Sequence, residues 1–151
     1  MAQPEEDIVH PTIQNFVAIV HNNEDSVKKV SLAPVLEGAT DVIPYLCEKG
    51  IIVAFGHTNA TYQEAQKAID FCATSATHTY NAMTPLTHRE VGVTGTVMIN
   101  QNVYAELVLD GIHFSYPDAK ILLKMKGNDK VVLITDSVET AGFQAGIYEQ
   151  S

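Results

Sequence analysis

Hydrophobic and polar positions along this 151-residue chain follow two alternating rhythms. Short β-branched, apolar runs occupy residues 29–32, 51–55, 75–79, 104–109 and 131–135, and runs of this length and composition predict strands. Between the first two, residues 35–48 place Leu36, Ala39, Ile43 and Leu46 at helical spacing, and Gly50 stops that helix. Thr61, with Glu64 three residues later, fits a capping box ahead of an apolar stripe of Ala65, Ala68, Ile69 and Cys72. Another helix is predicted to start near Ser115, to carry Pro117 in its first turn and to end before Gly127. Residues 12–21 read as one more helix.

Strands that alternate with helices imply a mostly parallel α/β sheet, because parallel neighbours need crossover connections. An open doubly wound sheet and a (β/α)8 barrel both satisfy that rule. No Gly-rich phosphate loop follows any strand, which weakens the first. No repeat, low-complexity tract or linker divides the chain, so one domain is expected.

Composition narrows the function. With 46% hydrophobic and 18% charged residues the chain is expected to be globular, not disordered. No apolar run approaches the ~20 residues that span a bilayer, and no signal-peptide pattern opens the chain, so a cytoplasmic protein is expected. A net charge of −9 makes nucleic acid and anionic membranes poor partners. Cys47 and Cys72 lack metal-type spacing; two reduced thiols are the expectation, with a disulfide as the alternative. An anionic small substrate would need a local positive group, and Arg89 is the only arginine.

The chemistry lies just past the strands. His57 follows the second, His78 sits near the end of the third and leads to Asn81, Asp110, Gly111 and His113 follow the fourth, and Asp136 follows the fifth. In a barrel these carboxyl ends converge on one face, where barrel enzymes keep their active sites. Three histidines and an aspartate there could bind a divalent metal and activate a water. Taken singly, each has a plainer reading: a hydrogen-bonded loop histidine, an aspartate capping a following helix, a solvated His88-Arg89 pair. His10 and His21 read as surface residues. Shared placement at strand ends is what favours the metal reading.

The words themselves carry a further resemblance. Ser31-Leu32-Ala33-Pro34, Gly56-His57-Thr58-Asn59-Ala60, Thr77-His78-Thr79-Tyr80-Asn81-Ala82-Met83, His88-Arg89-Glu90, Asp110-Gly111-Ile112-His113 and Thr135-Asp136 stand in order along nearly the whole chain. In order and spacing they resemble the N-acetylglucosamine-6-phosphate deacetylases, metal-dependent barrels of the amidohydrolase superfamily. The resemblance implies that His57 and His78 bind the catalytic divalent metal, zinc or iron, with manganese or cobalt as alternatives. It implies that Asp136 is the general base that deprotonates the activated water and returns a proton to the departing amine. Asn81 and Ala82 would meet the sugar phosphate, N-acetylglucosamine 6-phosphate, with Arg89 pairing its charge. Asp110, Gly111, Ile112 and His113 would line the sugar, His113 reaching a hydroxyl. A homodimer is implied, with some phosphate contacts crossing its interface.

The same resemblance implies that residues 1–151 hold the last five βα units of the barrel. The first strands, a β-sandwich domain and a metal-binding glutamate in a His-Leu-Glu-Gly-Pro-Phe segment would lie upstream. Met1-Ala2-Gln3-Pro4 matches the continuation of that segment, which makes Ala2 a substrate contact and puts Gln3 where the family has a histidine. Two alternatives stay open: a catalytically silent piece of such an enzyme, or a related amidohydrolase acting on another N-acyl amino sugar.

Overall fold

The computed structural model describes residues 8–21 and 23–148. Five parallel strands, β1 (Lys29–Leu32), β2 (Ile52–Phe55), β3 (Ser75–Ala76), β4 (Tyr104–Leu107) and β5 (Val131–Leu133), pair in the order of the sequence. A doubly wound sheet would reverse its order partway; this one does not. With right-handed crossovers, sequential order places every connecting helix on one face, as in a sector of a barrel.

The helices are α1 (Ile13–Val20), α2 (Ala39–Glu48), α3 (Tyr62–Asp70), α4 (Gly92–Ile99) and α5 (Tyr116–Lys126). Three begin where the sequence signals them: the Thr12 and Ser115 side chains accept from the backbone of Asn15 and Asp118, and Thr61 with Glu64 forms a complete capping box. α2 is shorter than residues 35–48, because Gly38 takes a left-handed conformation immediately before Ala39.

Strand register separates two faces. Val30, Leu32, Val53, Phe55, Ala76, Ala105 and Leu107 join the apolar core beneath the helices, with Val42, Ile43, Leu46, Ala65, Val97 and Leu122. The residues between them point the other way, onto a mixed inner face where Lys29, Ser31, Ser75 and Glu106 stand beside Ile52, Ala54, Tyr104 and Val132. Glu106 is buried there, taking Lys29 Nζ at 2.6 Å and Ser75 Oγ at 2.7 Å, while Ser31 Oγ and Thr77 Oγ1 sit 2.7 Å apart. β1 and β5 are the edges of the sheet.

Two findings correct the sequence reading. α4, between β3 and β4, was not among the expected helices. Residues 92–98 are all buried, so no amphipathic stripe marks it, and two glycines and β-branched residues are poor helix formers. Gly92 is required at its start: φ is +59°, and a Cβ would lie 2.6 Å from the Pro85 carbonyl oxygen. The second correction concerns the cysteines. Cys47 and Cys72 form a disulfide, not two reduced thiols. The end of α2 and the turn after α3 pack side by side, bringing their Cα atoms to 6.6 Å, within bridging range.

Candidate active site at the carboxyl edge of the sheet

Beyond their last paired residues the strands turn sharply, and the turns carry the expected polar residues. His57, His78, Tyr80, Ala82 and Asp136 all have positive φ, between 33° and 80°. Non-glycine residues adopt this region at a cost and persist there only where surrounding structure holds them, commonly at functional sites. The holding bonds are visible. Thr79 N–H donates to the Glu106 carbonyl, Asn81 N–H to the His78 carbonyl and Thr58 N–H to the Ala82 carbonyl. Gly56 passes so close to β3's continuation that a Cβ would meet Thr77 Cβ at 3.0 Å.

These turns bring two imidazoles together. His57 Nε2 and His78 Nε2 lie 2.7 Å apart, with ring centroids 4.6 Å apart and planes crossed at 71°. His78 is buried and its Nδ1 has no hydrogen-bond partner among the described residues; His57 lies at the open end of the pair. Burial and then the His78 ring push the His57 pKa below its ordinary value, and the Asp136 charge opposes them. Asp136 also raises the pKa of His113, so it lies within electrostatic reach of both histidines.

Convergent imidazole nitrogens are donors that divalent metals favour. His57 and His78 fit two positions of such a site. Among the described residues no group of three His, Cys, Asp or Glu side chains gathers, so these residues offer a two-point site, not a closed one.

Asn81 is half-buried, and its Nδ2 is buried without a partner among the described residues. His88 and Arg89 are exposed, as a solvated pair should be. Their loop is nevertheless pinned: Thr87 Oγ1 accepts from the Arg89 and Glu90 backbones, and Glu90 Oε1 accepts from Tyr62 N–H at 3.2 Å and Gly92 N–H at 3.0 Å. Thr87 and Glu90 have no such role in the sequence reading; a Thr two residues before Arg89 is the ST-turn signal that could have marked Thr87, and none marks the Glu90 contacts. After β4, Asp110, Gly111, Ile112 and His113 are all exposed, with His113 Nδ1 2.6 Å from Asp110 Oδ2. Among the described residues no helix comes after Asp136, so capping is not its purpose. His10 and His21 are exposed, His21 ending α1. Ala2 and Gln3 lie outside the described residues.

A cleft of about 930 Å³ runs along β1, between α1 and the strand ends. Its walls include Phe16, Val30, Leu32, His57, Ala82 and Met83. Asp110, His113 and Asp136 are not in its lining.

No family model matches the chain. Among curated proteins, the N-acetylglucosamine-6-phosphate deacetylase of Lysinibacillus sphaericus is 34% identical over 148 residues, covering 98% of this chain and 38% of that protein. The N-acetylgalactosamine-6-phosphate deacetylase of Escherichia coli O157:H7 is 34% identical over 147 residues, covering 97% and 39%. Among solved structures, a mutant N-acetyl-D-glucosamine-6-phosphate deacetylase from Mycobacterium smegmatis, in complex with N-acetyl-D-glucosamine-6-phosphate, superposes with a TM-score of 0.86 at 31% identity. That match covers 93% of this chain and 36% of the other. The chain thus spans about two fifths of the length of the curated relatives it matches.

Fold and site define a parallel α/β sheet of the barrel type with a pair of imidazoles at its carboxyl edge. More particularly, over nearly its whole length the chain is similar to part of the N-acetylglucosamine-6-phosphate deacetylases.

Proposed function

We propose that this chain forms the catalytic part of an enzyme that hydrolyses the acetamide of N-acetylglucosamine 6-phosphate to glucosamine 6-phosphate and acetate. The observation that carries the reading is the meeting of His57 and His78 at 2.7 Å past the ends of neighbouring strands, with the Asp136 charge acting on His57. In this reading residues 1–151 are the last five βα units of a (β/α)8 barrel in a cytoplasmic, homodimeric enzyme of amino-sugar catabolism.

His57 and His78 would hold a divalent metal ion, zinc or iron first, with further donors from outside the described residues. When bound, that ion supplies Lewis-acid polarisation of the amide and lowers the pKa of the attacking water. Asp136 takes the proton of that water and returns one to the departing amine, so a single carboxylate serves as base and then acid. Asn81 offers its Nδ2, unpartnered among the described residues, as a donor to the sugar phosphate, beside the Ala82 backbone. Arg89, on a backbone fixed by Thr87 and Glu90, supplies the charge and forked geometry that a phosphate accepts. Residues 110–113 flank the sugar.

Acetate release from phosphorylated and unphosphorylated N-acetylglucosamine tests the reading. The phosphorylated sugar is expected to be strongly preferred, and Asp136→Asn to abolish turnover while substrate still binds. Near-normal turnover by Asp136→Asn would remove the base assignment, and equal rates on both sugars would remove the phosphate clamp. A galactosamine-type substrate is the second reading, favoured by the 34% identity to the Escherichia coli relative. Running both hexosamine 6-phosphates side by side decides between them. The described residues supply a two-point donor set, so any further donors would come from outside them.

A further inference from the structure

The loop after β4 is folded around its own aspartate. Asp110 Oδ1 accepts the backbone N–H groups of Ile112 and His113, each at 2.8 Å. Asp110 Oδ2 meets His113 Nδ1 at 2.6 Å. Both carboxylate oxygens are therefore engaged within four residues. The two backbone bonds make an Asx-type turn. Gly111 permits it, with φ at +77° and the Tyr116 hydroxyl 3.0 Å from where a Cβ would stand.

We infer that Asp110 is a positioning residue, which fixes the His113 ring with Nδ1 protonated and presents Nε2 as its working nitrogen, instead of touching the sugar itself. An ionised carboxylate only accepts hydrogen bonds, so the nitrogen facing it must carry a proton. That holds for the neutral ring and for the imidazolium. The proton that His113 loses on titration is consequently the one on Nε2. Nε2 donates when the ring is charged and accepts when it is neutral, while the ring stays in place. The inference rests on the proposed function only in taking residues 110–113 to flank a sugar.

The groups around His113 act in one direction. Asp110, on its own loop, and Asp136, after β5, are both carboxylates that favour the charged ring, Asp110 the more strongly; burial opposes them. From α5, Tyr116 packs against Gly111, and the Asp118 carboxylate is taken by the Ser115 hydroxyl at 2.6 Å. Asp110 itself is held well below the ordinary carboxylate range, first by its bond to His113 and then by the two backbone donors. It stays ionised while the ring titrates.

Asp110→Asn separates positioning from mere loop stability. The carboxamide oxygen can still accept the Ile112 and His113 N–H groups, so the turn survives. Its NH2 then faces Nδ1 as a donor, which requires that nitrogen to be unprotonated. Nitrogen–proton correlation spectra of the imidazole ring report the tautomer directly, in the whole protein and without any assay of activity. Above its titration, wild-type His113 is expected to carry its proton on Nδ1, and Asp110→Asn to move it to Nε2, with the titration shifted to lower pH. In steady-state kinetics on N-acetylglucosamine 6-phosphate the same variant should raise KM about tenfold, the worth of one misdirected hydrogen bond. A wild-type ring with its neutral proton on Nε2, or an Asp110→Asn ring unchanged in tautomer and titration, overturns the inference. If the tautomer moves as stated and the wild-type protein releases no acetate from the sugar phosphate, positioning stands and the functional reading fails.

Discussion

His57 Nε2 and His78 Nε2 meet at 2.7 Å, although the two residues are 21 positions apart and end different strands. β2 and β3 are parallel neighbours with Phe55 beside Ala76, so the strand ends start level. Left-handed backbone at both histidines then turns the two rings toward one point. One imidazole must donate to the other in the metal-free pair, and a divalent ion would replace that bond with two dative ones.

Removing either ring should therefore remove metal affinity. His57→Ala is the cleaner variant, because His57 lies at the exposed end of the pair and its loss leaves the core intact. Outer-shell changes at metal sites cost ~10–100-fold in affinity, and loss of a direct donor is expected to cost at least ~100-fold. Competition against a chelator, with zinc and with cobalt, measures it. Wild-type affinity in both His57→Ala and His78→Ala would show that the pair is not a donor set.

The inner face of the sheet makes an asymmetric prediction. Glu106 is nearly inaccessible, its side chain 5% exposed, whereas the Lys29 side chain is 42% exposed. Lys29→Met leaves a buried carboxylate with only the Ser75 hydroxyl, a situation that typically costs about 3 kcal/mol. Glu106→Gln keeps the Ser75 bond and releases a lysine that can reach water, so about 1 kcal/mol is expected. Urea midpoints of the two variants check the order. Equal losses, or a larger loss in Glu106→Gln, would mean that the pair behaves as a surface ion pair.

Much of this frame is legible in the sequence where one residue type has one physical use. Thr61 with Glu64 and Ser115 before Pro117 mark helix starts through local hydrogen bonds, and the structure places the starts there. β1 runs over residues 29–32 as expected and β2 ends at Phe55 with its run, but β3, β4 and β5 end earlier than their apolar runs, because the chain leaves the ladder to make the site turns. What was not legible depends on contacts between distant segments. α4 lacks a polar face because neighbouring elements cover it all round, and the Cys47–Cys72 bridge joins segments that sequence spacing does not bring together. Within the site the same division holds: His57, His78, Asp110, His113 and Asp136 stand out by type and position, whereas the Asp110–His113 bond and the pinning of the Arg89 loop by Glu90 emerge only in three dimensions.

The disulfide yields a redox prediction. Cys47 and Cys72 are 25 residues apart, and closing a loop of that length removes about 3 kcal/mol of unfolded-chain entropy. Denaturant unfolding with and without a thiol reductant should differ by about that amount. The Cys47→Ser/Cys72→Ser double variant should be indifferent to reductant. Two titratable thiols in the folded, air-exposed wild type would show that the bridge does not form.

Lys126 supplies the pH dependence. It ends α5 with its residue only 3% exposed, and its ammonium donates to the Asn100 carbonyl. Burial, with the neighbouring Lys130 charge, lowers its pKa from 10.5 to about 8. Between those two values the unfolded chain binds a proton that the folded chain does not, so the contribution to stability rises with pH through that window. Below about 8 both states are protonated and folding carries the full cost of the buried charge, which the shift puts at roughly 3 kcal/mol. Lys126→Met removes the charge and keeps most of the packing volume, at the loss of one hydrogen bond. The stability difference between Lys126→Met and wild type should thus favour the variant at pH 7 and shrink as the pH is raised past 8, read from denaturant midpoints at each pH. A difference that stays constant from pH 7 to 10.5 would show that Lys126 keeps its proton throughout, with the Asn100 carbonyl offsetting the burial.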